Sequence, residues 1–114
     1  MARIYEFEKD LKKDAITLLK RLFPVSMVHD TPNMPVKVGC GRKTKTREPG
    51  KSDLHCCIKG KAVYLEVKLP GKTLSKDQEK FKKQVHLAGG IFIEFHNLEE
   101  LVEELRVNGL LVIN

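Results

Sequence analysis

Asp53, Glu66 and Lys68 are the residues of this chain whose types and spacing favour chemistry. Apolar and polar residues alternate over residues 63–68, and this period of two is typical of a β-strand that carries Glu66 and Lys68 on one face. Residues 54–58 form a preceding apolar run, and a hairpin turn between the two runs would fold them antiparallel. We therefore expect Asp53 to lie near Glu66.

Two neighbouring carboxylates repel each other unless a cation lies between them, and hard divalent ions such as Mg²⁺ or Mn²⁺ prefer oxygen ligands. A lysine beside them could orient an attacking water or offset the charge on a pentacovalent phosphate. Asp53, Glu66 and Lys68 therefore favour metal-dependent hydrolysis of a phosphodiester. The alternative is that the three side chains belong to a solvated hairpin face.

An amphipathic helix is predicted over residues 3–22, since its apolar residues fall within one arc of the helix: Ile4, Phe7, Leu11, Ala15, Leu18, Leu19 and Leu22. Glu8 falls inside this arc, whereas Glu6 falls outside it. A carboxylate on the buried side of a helix is costly unless it is paired or binds a cation. Glu8 is therefore a candidate member of the site, or else it lies at the edge of the arc and reaches water.

Between this helix and the hairpin, short strands are predicted over residues 25–29 and 36–40. Residues 39–50 contain three glycines, one proline and four basic residues, so we expect a loop there. After the hairpin, Ser75 and Gln78 fit a capping box that opens a helix ending near Ala88.

The last part of the chain alternates between strand and helix patterns. Residues 91–95 are an apolar run that fits a buried central strand reached by a crossover helix. Asn97 can cap a helix over residues 98–107. Residues 110–113 are predicted to form a final strand that closes the sheet or meets a second subunit. The whole order indicates one α/β domain, with a mixed sheet flanked by helices.

The composition fits a single globular domain, because 41% of the 114 residues are hydrophobic and 32% are charged. No apolar run approaches the length of a membrane span, and the acidic start of the chain does not resemble a signal peptide, so we expect a soluble cytoplasmic protein. The three cysteines, Cys40, Cys56 and Cys57, suit reduced thiols, with a zinc site involving His29, His55 or His96 as the alternative.

The net charge of +6 is concentrated in the middle of the chain. Residues 37–83 contain fourteen Lys or Arg and five Asp or Glu, whereas residues 94–106 contain one basic and five acidic residues. A basic segment around the candidate site is expected of a surface that neutralises nucleic-acid phosphates. By charge alone, a solvated lysine-rich surface would fit equally well.

The pattern as a whole resembles the PD-(D/E)xK nuclease signature. The resemblance covers most of the chain and rests on Gly50, Ser52 and Asp53, then Glu66, Val67 and Lys68, then Ser75 to Gln78. The glutamine makes it similar to the VRR-NUC branch, the virus-type replication-repair nucleases. The signature usually has a proline before the first aspartate, where this chain has Ser52. Since that proline is not a metal ligand, the difference affects the expected shape of the loop.

This resemblance implies a single nuclease domain over residues 1–114 with a restriction-endonuclease-like core. It implies that Mg²⁺ or Mn²⁺ is held by Glu8, Asp53, Glu66 and the main-chain carbonyl of Val67. Lys68 would orient the attacking water. Gln78 would lie beside the metal and hold a water or a phosphate oxygen, in addition to its capping role.

Small stand-alone members of this branch resemble Holliday junction resolvases, which implies a homodimer that acts on branched DNA. The residues expected to contact DNA are Arg42, Lys43, Lys45, Arg47, Lys51, Lys72 and Lys76. Two other interpretations are a basic nucleic-acid-binding module with inert carboxylates, and a subunit that acts only within a larger complex.

Overall fold

The protein, seen in a computed structural model, is an α/β structure with a four-stranded mixed sheet and three helices. The structure describes residues 4–30 and 53–112, and the backbone of residues 35–38 and 42–46. The elements in chain order are α1 (Glu8–Leu22), β1 (His29–Asp30), β2 (Pro35–Val38), β3 (Arg42–Thr46), β4 (Leu54–Ile58), β5 (Lys61–Val67), α2 (Lys76–Leu87), β6 (Ile91–Phe95) and α3 (Leu98–Val107).

The four-stranded sheet has the order β1-β4-β5-β6. The first two pairs are antiparallel, while β5 and β6 are parallel and α2 makes the crossover between them. Parallel neighbours need such a crossover, so the predicted helix after the hairpin has a topological function. β2 and β3 form a separate antiparallel pair.

The predicted hairpin is confirmed, with Ile58 paired to Lys61 across a two-residue turn. Lys59 and Gly60 both have positive φ, at 51° and 79°. These values are those of a type I′ turn, whose twist matches that of the flanking strands. The turn fixes the register in which Leu54 pairs with Leu65.

The two faces of the sheet have different functions in the structure. One face carries the buried side chains of β4, β5 and β6 and packs against α1 and α3, with the core formed by residues such as Leu11, Leu19, Leu54, Ile58, Leu65, Ile93, Phe95, Leu101 and Leu105. The other face carries Tyr64 and Glu66 and is covered in part by α2. Strand alternation therefore separates the core from the candidate site.

The capping box of α2 is confirmed. Ser75 Oγ accepts from the Gln78 N–H at 3.2 Å, and Gln78 Oε1 accepts from the Ser75 N–H at 2.8 Å. At the other end the N–H of Gly90 donates to the carbonyl of Val85, and Gly89 has a φ of 86°. This left-handed residue closes the helix in a Schellman motif.

The first helix begins later than predicted, at Glu8 rather than near residue 3. Phe7 has an extended backbone and is 56% exposed, and Ile4 is 94% exposed, so the two do not share the buried arc of the helix. Glu8 and Asp10 occupy the first turn, where negative charge is favourable. The stripe of Leu11, Ala15 and Leu19 is fully buried as the periodicity indicates.

Two predictions between α1 and the hairpin are wrong. The strand predicted over residues 25–29 is reduced to β1, because Met27 has a φ of 50° and the Ser26 N–H donates to the carbonyl of Phe23, so the chain turns here. Residues 42–46, predicted as loop, form β3 instead. Pairing with β2 supplies its backbone hydrogen bonds, which composition alone does not indicate.

Two predictions near the end of the chain are also wrong. Within the described sheet, β6 is an edge strand rather than a central one. Residues 110–112 are not a strand, because the N–H groups of Leu110 and Leu111 both donate to the carbonyl of Leu105 and fold the chain back onto α3. Leu110 is 1% exposed and packs in the core of its own chain. Residue 113 lies outside the described part.

Among the described residues, no helix has the length and apolar character needed to cross a membrane. Cys56 and Cys57 are free thiols, and only Cys57 is exposed. Cys40 lies outside the described residues, as do Arg47, Lys51 and Ser52.

Leu110→Ala should lower the free energy of unfolding by about 2–5 kcal/mol, because a fully buried side chain is truncated and leaves a cavity. Urea denaturation at two protein concentrations measures this loss. Val112→Ala is the control, and since Val112 is 74% exposed it should stay within about 0.5 kcal/mol of wild type. A loss for Leu110→Ala that changed with protein concentration would instead place this residue at a subunit contact.

Candidate active site

Asp53 and Glu66 lie side by side on adjacent strands. Asp53 immediately precedes β4, and the pairing of Leu54 with Leu65 places it opposite Glu66 near the end of β5. Asp53 Oδ2 accepts a hydrogen bond from the Val67 N–H at 3.2 Å, and the Asp53 and Glu66 carboxyl groups are hydrogen-bonded to each other. The hairpin therefore brings together two acidic residues that are thirteen positions apart in the sequence.

Glu66 is the most unusual ionisable group of the described residues, because its side chain is buried at 2% exposure. Burial, followed by the hydrogen bond and the negative charge of Asp53, raises the pKa of its carboxyl from 4.5 to about 9. The nearby ammonium of Lys68 lowers this pKa and only partly offsets the other effects. At neutral pH without a cation, Glu66 is therefore protonated and shares its proton with Asp53.

Gln78 joins α2 to this carboxyl pair. Its Nε2 donates to Glu66 Oε1 at 3.1 Å, while its Oε1 accepts from the Ser75 N–H at the helix start. The capping interpretation of Gln78 is confirmed, and the same side chain contacts Glu66, while its expected position beside a metal ion stays a prediction. The cap fixes the amide, and the amide in turn fixes the orientation of the Glu66 carboxyl.

Lys68 and Glu8 lie in the electrostatic neighbourhood of Glu66. The Lys68 N–H donates to the carbonyl of Phe95 at 3.1 Å, so the backbone just after β5 remains hydrogen-bonded to β6. Glu8 is the first residue of α1 and is exposed, and its charge raises the pKa of Glu66. Of the two glutamates weighed in the first helix pattern, Glu8 alone affects Glu66 in this way.

The basic residues predicted to contact DNA are spread over several elements. Arg42, Lys43 and Lys45 belong to β3, and Lys76 is the exposed first residue of α2, close to the cap that carries Gln78. Lys72 lies in the turn that joins β5 to α2, and its side chain is exposed.

His96 and Glu94 also belong to this surface, although from sequence His96 was considered only as a possible zinc ligand and Glu94 was not singled out. His96 Nε2 lies 3.1 Å from the Lys72 carbonyl oxygen, and its Nδ1 lies 2.9 Å from Glu100 Oε1. The bond to Glu100 is the main reason that the pKa of His96 is raised. Glu94 pairs in register with Glu66, so it projects from the same sheet face. The position of Glu94 beside Glu66 depends on the pairing of β6 with β5, which the local sequence pattern does not indicate.

The residues present fit a hard divalent cation by the chemistry of their donors. Asp53 and Glu66 offer carboxylate oxygens at one point, and their shared proton marks a place where positive charge is favourable. No group of three or more His, Cys, Asp or Glu residues in the described part of the chain is close enough to hold a metal ion by itself. His29 and His55 stack on each other with ring centroids 5.1 Å apart, and belong to no such group.

Glu66→Gln should change how stability depends on pH in the absence of divalent ions. The pKa of Glu66 is higher in the folded protein than its ordinary value of 4.5, so the folded state retains a proton that the unfolded chain has released. The free energy of unfolding therefore falls because of this group as pH rises from 4.5 towards about 9. The Gln variant should lose this contribution.

Urea denaturation in EDTA across this pH range measures the slope. Glu79→Gln, which changes an exposed residue of α2, is the matched control and should keep the wild-type slope. A wild-type slope in Glu66→Gln would mean that another group holds the proton.

The chain matches no protein-family model, and no curated protein is significantly similar to it. The functional interpretation therefore rests on the carboxyl pair of Asp53 and Glu66 and on the groups that surround it.

Proposed function

We propose that this protein is a Mg²⁺- or Mn²⁺-dependent DNA endonuclease with a PD-(D/E)xK core, similar to the VRR-NUC branch. The single observation that carries the proposal is the pair of buried Glu66 and half-buried Asp53, whose carboxyl groups are hydrogen-bonded to each other at the end of a hairpin. A carboxyl group that is buried beside a second carboxyl group is costly for stability. A cation site explains why the fold retains the pair.

The carboxylates of Asp53 and Glu66 would hold the metal ion, with the main-chain carbonyl of Val67 as a further ligand. A bound divalent ion supplies Lewis-acid stabilisation of the phosphate charge and makes a water a better nucleophile. The hydrogen bond from the Val67 N–H holds Asp53 in place, and that from Gln78 orients Glu66. Both carboxylates are therefore positioned before a substrate arrives.

Lys68 would orient the attacking water and balance charge that develops on the phosphate. It projects from the same strand face as Glu66, since the two are two residues apart in β5 and its extension. Gln78 would assist by holding a water or a phosphate oxygen. Glu8, at the start of α1, would complete the set of acidic groups around the ion.

The substrate in this proposal is branched DNA, such as a Holliday junction. The phosphate contacts would come from the exposed Lys72 and Lys76 near the site and from the basic residues of 42–51. Resolving a junction requires two symmetric nicks, so the proposal includes a homodimer, in which each subunit supplies one site. The contact between subunits does not involve Leu110, because that residue is buried within its own chain.

Asp53→Ala and Glu66→Ala should each abolish cleavage but leave DNA binding in EDTA near the wild-type affinity, because the phosphate contacts come from the basic residues. Lys68→Ala should lower the cleavage rate by about 100-fold or more. The measurement is cleavage of duplex, flap, fork and four-way junction DNA with Mg²⁺ or Mn²⁺ and with EDTA. Wild type should prefer the four-way junction.

The matched controls are Glu79→Ala for the carboxylates and Lys83→Ala for the lysine, both on exposed positions of α2. They should retain near wild-type rates. Cleavage by Asp53→Ala at the wild-type rate would defeat the assignment. Binding without any cleavage by wild type would favour a nucleic-acid-binding module instead, and a monomeric mass in light scattering together with equal cleavage of duplex and junction would remove the resolvase interpretation.

Glu8→Gln should slow cleavage strongly, whereas Glu6→Gln should leave it near the wild-type rate. The two residues are exposed and two positions apart, but only Glu8 belongs to α1 and acts electrostatically on Glu66. Initial rates at saturating Mg²⁺ and at a low Mg²⁺ concentration measure the effect. A metal ligand should show the larger loss at low Mg²⁺, and the reverse ranking of the two variants would exclude Glu8 from the site.

A further inference from the structure

A second feature on the face that carries Glu66 is a pocket of about 240 Å³ between β5 and the later part of α2. Tyr64, Phe81 and Val85 give it apolar walls, and the exposed Gln84 offers an amide that can both donate and accept hydrogen bonds. The volume lies just below the range of about 300–1,000 Å³ that holds drug-sized ligands. The pocket therefore suits a single flat ring system with polar edges.

The pocket lies at one end of a row of rings that crosses the sheet. The ring centroids of His29 and His55 are 5.1 Å apart, those of His55 and Tyr64 are 5.9 Å apart, and Tyr64 meets Phe81 edge to face at 5.3 Å. His29 is exposed and the other three are half-buried, so the row is accessible from solvent. A row of this kind provides π surfaces on which planar groups stack.

The distance from the pocket to the carboxyl pair matches the scale of a nucleotide. Tyr64 precedes Glu66 by two residues on the same face of β5, which corresponds to about 7 Å along a strand. A DNA strand whose phosphate lies at Glu66 would therefore place a neighbouring base at the pocket. That base could enter only if it were unpaired, because bases in a duplex are stacked on each other.

The rim of the pocket on α2 carries one charge of each sign. Phe81 and Gln84 line the pocket, and Asp77 and Lys80 each precede one of them by four residues, which is about one turn of the helix. Lys80 can therefore contact a phosphate of a strand whose base occupies the pocket, whereas Asp77 contributes the opposite charge.

We propose that this pocket binds an unpaired nucleobase of a DNA strand, stacked on the ring of Phe81 and in edge contact with Tyr64, while the adjoining phosphate lies at the carboxyl pair. The inference rests on the proposed nuclease function and makes it more specific. It explains a preference for branched DNA by the unpaired bases that branch points expose. Because the pocket lies about one nucleotide from the carboxyl pair, a base of the strand bound there can reach it, whereas a side chain of another protein has no such link to that pair.

The test compares two forked duplexes of equal charge, one with bases in its unpaired arm and one with abasic nucleotides there. Affinity is measured by fluorescence anisotropy in EDTA, where metal-dependent cleavage does not interfere. Wild type should bind the fork with bases about 5- to 150-fold more tightly, the range expected for one stacked base. With 2-aminopurine in the arm, its emission should be quenched on binding.

Phe81→Leu should remove most of this difference without changing affinity for the abasic fork, since it keeps an apolar side chain but removes the ring. Phe92→Leu is the matched control, because Phe92 packs behind Phe81 with ring centroids 6.3 Å apart and does not line the pocket. Tyr64→Phe keeps a ring and should retain the preference. Thermal unfolding checks that each variant is folded.

Equal affinity of wild type for the two forks, or the same loss in Phe92→Leu as in Phe81→Leu, would overturn this inference. The outcome is independent of the cleavage assay. Cleavage without base-dependent binding would leave the nuclease proposal standing and remove the pocket from it. Base-dependent binding and quenching without cleavage would keep the pocket as a nucleobase site and remove the nuclease.

Discussion

The burial of Glu66 beside Asp53 is the constraint on which the rest of the site depends. Burial of Glu66 and its hydrogen bond to Asp53 disfavour a second negative charge, so the pair shares a proton in the absence of a cation. The fold stabilises the pair with one backbone donor, the Val67 N–H, and one side-chain donor, Gln78 Nε2. Such an arrangement costs stability, which is typical of functional sites.

The hairpin gives this pair its position without disturbing the core. Residues on one face of β4 and β5 pack against α1 and α3, and the alternate residues carry the carboxyls and the aromatic rings. A slip of one residue in register would exchange the two faces and bury the wrong set of side chains. The type I′ turn at Lys59 and Gly60 prevents such a slip, so a turn far from the carboxyls determines their geometry.

The helix α2 connects the two functional features of the open face. Its first turn carries Gln78, which holds Glu66, and later turns carry Phe81 and Val85, which line the apolar pocket. In the proposed function, a single helix that fixes both features would also fix the distance between a phosphate at the carboxyl pair and a base in the pocket. This arrangement is consistent with a nuclease that recognises unpaired nucleotides beside the scissile bond, as proposed above.

The sequence alone determined the elements that depend on local signals. Alternation and turn residues predicted the hairpin with Asp53 near Glu66, Ser75 and Gln78 predicted the capping box, and Asn97 predicted the cap of α3. Only the tertiary structure decided what depends on distant partners. β3 forms because β2 pairs with it, and β6 lies at the edge of the described sheet. Leu110 does not form the predicted strand, because its side chain packs in the core beside α3. The burial that raises the pKa of Glu66 arises only when α2 packs against the hairpin.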